Sequence, residues 1–521
     1  MRVVSAQTRQ LGPIGSGNPA IVRHRPHRSA DCSAPGPKIP AATSITRHFR
    51  CSTSGITLAI SPDASEPDAS FSGGLMASLR RSFVFSVCAL LSAASASAQS
   101  VPAPTFTRDI APIFQAKCEG CHRPDQMAPM SLVTYDEVRP WVKSIAARVT
   151  GRQMPPWHID RSVGIQKFKN DRSLTDDQLA TVLRWIASGA PKGDPKDLPP
   201  AVTWNDNVAG WQGASKLGPP DLVISSTSYT MPAVAQDAWW KPAVPTGLTE
   251  PRWVRAIEIR PTTTKGRRIT HHALARLQQD EDLPRELFTN DPDVAGDGLF
   301  MEWAVGKSVD EMRPDSGRLM LPGSKIVWDI HYHAVGEEIT DSVQLGIWFY
   351  PKGQEPKHRE VLALFNTFSG GNRALDIPPN TVTTTESFVV LKQNARIENF
   401  QAHLHLRGKG MSMEAIYADG RREMLSQIND FNFNWHNMYI YDDDVAPLLP
   451  KGTILHFLTW YDNTASNKAN PDPNQWVGWG DRTVDEMGHA WLNITYYDDA
   501  EFKTETAKRQ TIKVTTSERQ E

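Results

Sequence analysis

A chain of 521 residues with 40% hydrophobic and 8% aromatic content carries enough apolar surface for several filled cores, which excludes a disordered protein. A formal charge of -2 over that length excludes a nucleic-acid surface or a polybasic membrane patch built on net charge. The expected partners are small molecules and other proteins.

Residues 1–75 are rich in Ser, Pro, Arg and Thr without a sustained apolar period, so they are expected to be disordered or an untranslated leader. Met76-Ala77-Ser78-Leu79-Arg80-Arg81 then supplies a basic start, 83–94 an apolar core too short to span a bilayer, and Ala96-Ser97-Ala98 a small-residue cleavage site. Residues 76–98 therefore read as a secretory signal cut after Ala98, which predicts a periplasmic or secreted bacterial protein. Of the five cysteines, Cys32, Cys51 and Cys88 precede that cut, and Cys118 and Cys121 follow it. Past the signal, nothing is long and apolar enough for a transmembrane helix.

Cys118-Glu119-Gly120-Cys121-His122 is the attachment pattern for c-type haem: two thiols within reach of the porphyrin vinyl groups and an imidazole to rise under the iron. One covalent haem c is expected. A helix over 107–117 delivers Cys118, capping boxes at Thr134/Glu137 and Thr175/Gln178 open two more, and Gly189 with Pro191 stops the last. Three helices around a porphyrin make 99–190 a small all-α cytochrome c domain. Its second axial ligand is expected from Met154-Pro155-Pro156-Trp157, where two prolines stiffen the loop and a thioether favours reduced iron. Met127, Met130 and His158 are the rivals for Met154.

Residues 191–220 are rich in Pro, Gly, Asp and Asn and read as a flexible linker. From 221 onward, short alternating runs separated by turn residues predict an all-β region too long for one sandwich. Two domains, 221–385 and 386–503, divided near Thr385 and followed by a tail at 504–521, are the economical division. Histidines cluster here as His271-His272, His331-Tyr332-His333 and His403-Leu404-His405. An H-x-H on a strand sets both imidazoles on one face, whereas adjacent His271 and His272 share a face only at a bulge or turn. Three such clusters with no nearby cysteines favour copper or another imidazole-preferring metal. Asp442-Asp443-Asp444 reads as a solvated turn.

The runs Ile269-Thr270-His271-His272-Ala273-Leu274, Ile330-His331-Tyr332, Ala402-His403-Leu404-His405-Leu406-Arg407-Gly408-Lys409 and Thr483-Val484-Asp485-Glu486-Met487 occur in an order that resembles the copper type II, ascorbate-dependent monooxygenases. That family includes the peptidylglycine alpha-hydroxylating and dopamine beta-monooxygenases. The resemblance spans roughly residues 221–502. It implies two jelly-roll-like β-sandwich copper domains facing each other across a solvent-filled cleft. It also implies two coppers: one held by His271, His272 and His331 that transfers electrons, and one held by His403, His405 and Met487 that meets dioxygen. His333 is a further partner or alternate ligand.

The implied reaction is hydroxylation of a C–H bond of a small organic substrate by O2, with electrons from an external donor or redox protein relayed through the haem. Peptide-specific members carry an arginine where this chain has Gln401, and asparagine and tyrosine where it has His489 and Trp491. A C-terminal glycine peptide is therefore not the expected substrate. Two other readings compete: a non-catalytic electron-transfer or copper-binding protein, and a cytochrome fused to a sugar- or protein-binding β module with incidental histidines. His436 and His489 are expected to line the space between the coppers.

Overall fold

The computed structural model describes residues 102–124, 126, 128–204, 210–290, 298–304, 307, 309–370 and 374–517. The expected leader, the signal segment with Cys88, the upstream Cys32 and Cys51, and Met127 lie outside the described residues.

Both expected capping boxes form, because Thr134 and Thr175 each exchange a side-chain and a backbone hydrogen bond with the residue three positions on. A π-helical turn at Phe106–Ile110 runs into α1 (Ala111–Lys117), followed by α2 (Val142–Thr150) and α3 (Asp176–Ala187). Phe106, Ile110 and Phe114 meet Val149, Val182 and Trp185 in one apolar cluster. The Trp185 indole donates to Pro191 O at 3.0 Å, which fixes the chain leaving α3. No helix among the described residues is long and apolar enough to cross a membrane.

The remainder is mostly strand, arranged in several sheets. The first is five-stranded: β1 (Ala238–Trp240), β2 (Ala243–Pro245), β3 (Thr270–Gln278), β4 (Gly298–Ala304) and β5 (Lys325–Tyr332) run in the order β1–β5–β3–β4, with β2 also on β5. The strands that follow are β6 (His358–Asn366), β7 (Val382–Val390), β8 (Asn399–Leu404), β9 (Gly408–Ile416), β10 (Arg422–Ile428), β11 (Ile454–Asp462) and β12 (Gly488–Tyr497). Among them β7–β11–β9–β10 form a four-stranded sheet, and the strict alternation of burial along β11 shows one face turned to the core. Strands β6, β8 and β12 belong to an eleven-stranded sheet.

Two large apolar cores result, one from residues between Ile224 and Phe349, the other from Val361 to Ile494. Along the strands, core membership changes between Phe349 and Val361. The eleven-stranded sheet runs across this change: β6 pairs in parallel with the strand Ser316–Met320 and antiparallel with β12. A buried ionic group lies at the same junction. Arg318 donates to Asp310 and Glu360 at 3.1 and 2.9 Å and to Phe300 O, while Asn493 donates to Asp310.

The helical segment is not joined to the sheets through 191–220 alone. Between α2 and α3 the chain leaves the helices and lies along the second core, where Trp157, Ile159 and Phe168 are buried members. Backbone bonds tie this arm down, with Asp160 N to Gln427 O, Ile165 N to Leu425 O and Lys169 N to Ile440 O at 2.7 to 2.9 Å. Gly164 makes the close approach, with φ +72° and no room for a Cβ against Leu425 O. The acidic run is not merely solvated: Asp444 pairs with Lys167, and Asp443 with Lys169 and Arg396. Hydrogen bonds between distant segments leave no local period in the sequence, so this arm inside 99–190 carried no mark of its contacts.

Candidate metal centre

β3 and β5 are antiparallel neighbours, and their register slips where it matters. His331 faces His272, but Tyr332 faces Thr270, so His271 is the extra residue of a β-bulge. The bulge relieves the geometric obstacle posed by adjacent histidines and lets both rings reach one point. The ligand nitrogens of His271, His272 and His331 all lie within 4.8 Å of one another, the only such group of three or more imidazole, thiolate or carboxylate residues among the described residues. His333 stands aside, its ring 6.2 Å from that of His271.

Aromatic faces clamp this group. His331 stacks on Trp239 at 4.6 Å and His271 on Phe433 at 4.4 Å. His271 Nδ1, His272 Nδ1 and His331 Nδ1 are buried without a hydrogen-bond partner. His331 Nε2 lies 3.1 Å from Asp237 Oδ2 but out of line for a hydrogen bond. Burial holds His271 and His272 well below the ordinary histidine value, so both rings are neutral and offer a lone pair. Buried, orphaned, neutral imidazole nitrogens converging on one point suit a metal that takes nitrogen ligands.

The second set assembles on β8 and β12. His403 faces His489 and Gln401 faces Trp491 across this pair, whose register ends with Leu404 opposite Gly488, one residue before His405 and one after half-buried Met487. Trp491 stacks on His403 at 4.6 Å. The loop before Met487 grips the H-x-H turn: Glu486 accepts from the backbone N–H groups of His405, Arg407, Gly408 and Met487, and His405 Nδ1 lies 3.2 Å from Asp485 O. Burial pushes Glu486 up to about 7 and holds His405 down to about 4. Gln401 donates to buried Glu302 at 2.8 Å.

The two sets are in contact. His272 and His403 have ring centroids 5.7 Å apart, and His436 stands among them, 5.9 Å from His271 and 6.4 Å from His272. His436 Nδ1 and His403 Nδ1 share a proton at 2.9 Å, and the Nε2 atoms of His436 and His489 are buried without partners. The solvent-filled cleft implied by the family resemblance does not separate these rings. The sequence carried no signal for the stacking by Trp239 and Phe433, for Asp237 beside His331, or for the capping of the turn by Glu486. Stacking and backbone capping carry no spacing signature.

At the other motif, Cys118 and Cys121 are free thiols in the turns that follow α1. His122 Nδ1 lies 3.1 Å from Met130 O, which fixes the ring and leaves Nε2 for a metal. Met154 is half-buried just beyond α2, and Met130 packs against the helical core. His158 sits on the arm, its backbone N–H donating to the Tyr439 hydroxyl.

No protein-family model matches the chain, and no curated protein does. Among solved structures it is similar to that of the infectious bursal disease virus Gx strain, at 11% identity over 58% of this chain and 76% of that one, with a TM-score of 0.16. The infectious bursal disease virus VP2 subviral particle gives 12% identity over 54% and 74%, also at 0.16. Likeness at that level carries no argument about fold or function.

Proposed function

We propose that this chain is an exported oxidoreductase holding one covalent haem c and two coppers, which hydroxylates a C–H bond of a small organic molecule with O2. The observation that supports the reading is the group of His271, His272 and His331 set against His403 and His405. Copper supplies one-electron chemistry and dioxygen activation when bound, and haem supplies one-electron storage. His271, His272 and His331 would hold one copper, and His403, His405 and Met487 the other. Cys118, Cys121 and His122 would hold the haem, with Met154 as the second axial ligand. Per O2 the reaction takes two electrons and two protons and returns water, so an external electron donor is part of the scheme.

Copper binding tests the ligand sets. Metal-loaded protein is expected to carry two coppers per iron, and Met487→Ala to weaken Cu(I) binding at one site while the other stays filled. His403→Ala with His405→Ala empties that same site. Full copper occupancy after all three changes rejects the assignment. Met154→Ala is expected to remove the sulfur-to-iron charge-transfer band of the oxidised haem while attachment survives; an unchanged band moves the ligand to Met127, Met130 or a histidine.

The closed contact between His272 and His403 favours a second reading, an electron-transfer or copper-binding protein without turnover. Oxygen consumption that depends on an added substrate separates the two, and none across a broad screen of metal-loaded protein selects the second.

A further inference from the structure

The arm between α2 and α3 does more than fasten the helices. Pro156, two residues after Met154, presents its carbonyl to the second core, where Asn437 Nδ2 donates to it at 2.9 Å. Asn437 is buried, and its chain neighbour is His436, whose Nδ1 lies 2.9 Å from His403 Nδ1. From residue 154 to the imidazole of His403 the route is therefore covalent except for two hydrogen bonds. Trp157 packs edge-on against Tyr439 at 4.6 Å and Phe168 at 5.7 Å, which keeps the joint dry and fixed. A wandering tether would make no such contacts.

We propose that Pro156, Asn437 and His436 form the electron route from the haem pocket to the histidine cluster. This rests on the haem and copper reading above. Haem and copper, when bound, would supply the one-electron donor and the one-electron acceptor, and Pro156, Asn437 and His436 make or break no bond between them. Asn437 acts as a positioning residue: its amide closes the gap between the arm and the strand-side loop, and contiguous bonded networks carry coupling better than gaps. Because the arm is fastened, the transfer rate is set by this joint and not by encounter.

The test uses the full haem- and copper-loaded chain, with haem reduced and copper oxidised under anaerobic conditions, and follows haem absorbance after rapid mixing. The original protein should reoxidise its haem in a first-order phase independent of protein concentration. Asn437→Leu and Asn437→Ser should each slow that phase severalfold, while haem spectrum, copper content and the reduction potentials stay in place. Tyr441→Phe removes a hydrogen bond at the same joint, to the Ser426 hydroxyl at 2.6 Å, without touching the route, and should leave the rate unchanged. Unchanged rates in both Asn437 variants, with metals intact, overturn the route while leaving haem-to-copper transfer standing. If the original protein keeps its haem reduced beside oxidised copper, or its decay scales with concentration, the underlying reading fails as well.

Discussion

Replacing Arg318 by methionine is expected to destabilise the protein by about 3–5 kcal/mol, measured as a fall in the urea midpoint, because it leaves the buried Asp310 carboxylate without its cation and buried Glu360 without its donor. Arg318 is the cation between Asp310 and Glu360, and all three side chains are almost fully buried. Asp310 keeps Asn493 as a donor, whereas Glu360 has Arg318 as its ion-pair partner. Burial already pushes Glu360 up to about 8 from an ordinary 4.5. Its proton is thus held in the folded chain and released in the unfolded one between those values. The folded state binds the extra proton, so this contribution is full below pH 4.5 and is lost as pH rises through about 8, at about 1.4 kcal/mol per pH unit. Glu360→Gln should flatten that slope. A variant that keeps the original pH dependence would show that Glu360 is ionised in the folded protein.

Glu486→Ala is the second large effect, and it reaches the metal centre. The carboxylate accepts four backbone N–H groups, two of them on the proposed ligands His405 and Met487. Removing it leaves buried donors unsatisfied at about 1–3 kcal/mol each, so a loss of at least about 3 kcal/mol is expected. The H-x-H turn should loosen with it, weakening copper at the His403 set while the His271, His272 and His331 set stays filled. Glu486→Gln keeps acceptor oxygen on one side only and should fall between. Equal copper affinity at both sets in Glu486→Ala would separate this residue from the site.

What the sequence disclosed was the chemistry that is local in the chain. His403 and His405 come together, ring centroids 5.4 Å apart, although the strand ends at Leu404 between them, and strand alternation demanded a bulge at His271, which the β3–β5 register contains. The capping boxes of the helical segment were legible for the same reason. Contacts between distant segments were not. Nothing near Pro156 announces Asn437, nothing near Trp239 announces that it will lie flat on His331, and three aspartates read as a solvated turn until Lys167 and Lys169 arrive from the arm. The closure between His272 and His403 was equally hidden, since the resemblance supplied motifs in order but no distance between them.

The placement of β6 limits how the gene can be cut. This strand takes a parallel partner from the Ser316–Met320 side and an antiparallel one from β12, so the two cores are stitched along a common seam. A truncation between Phe349 and Val361 would bare sheet edges on both fragments and leave Glu360 in one piece with Arg318 in the other. Neither fragment would stay soluble by itself. In recombination or engineering the two β cores travel as a pair, and a new fusion partner belongs outside both.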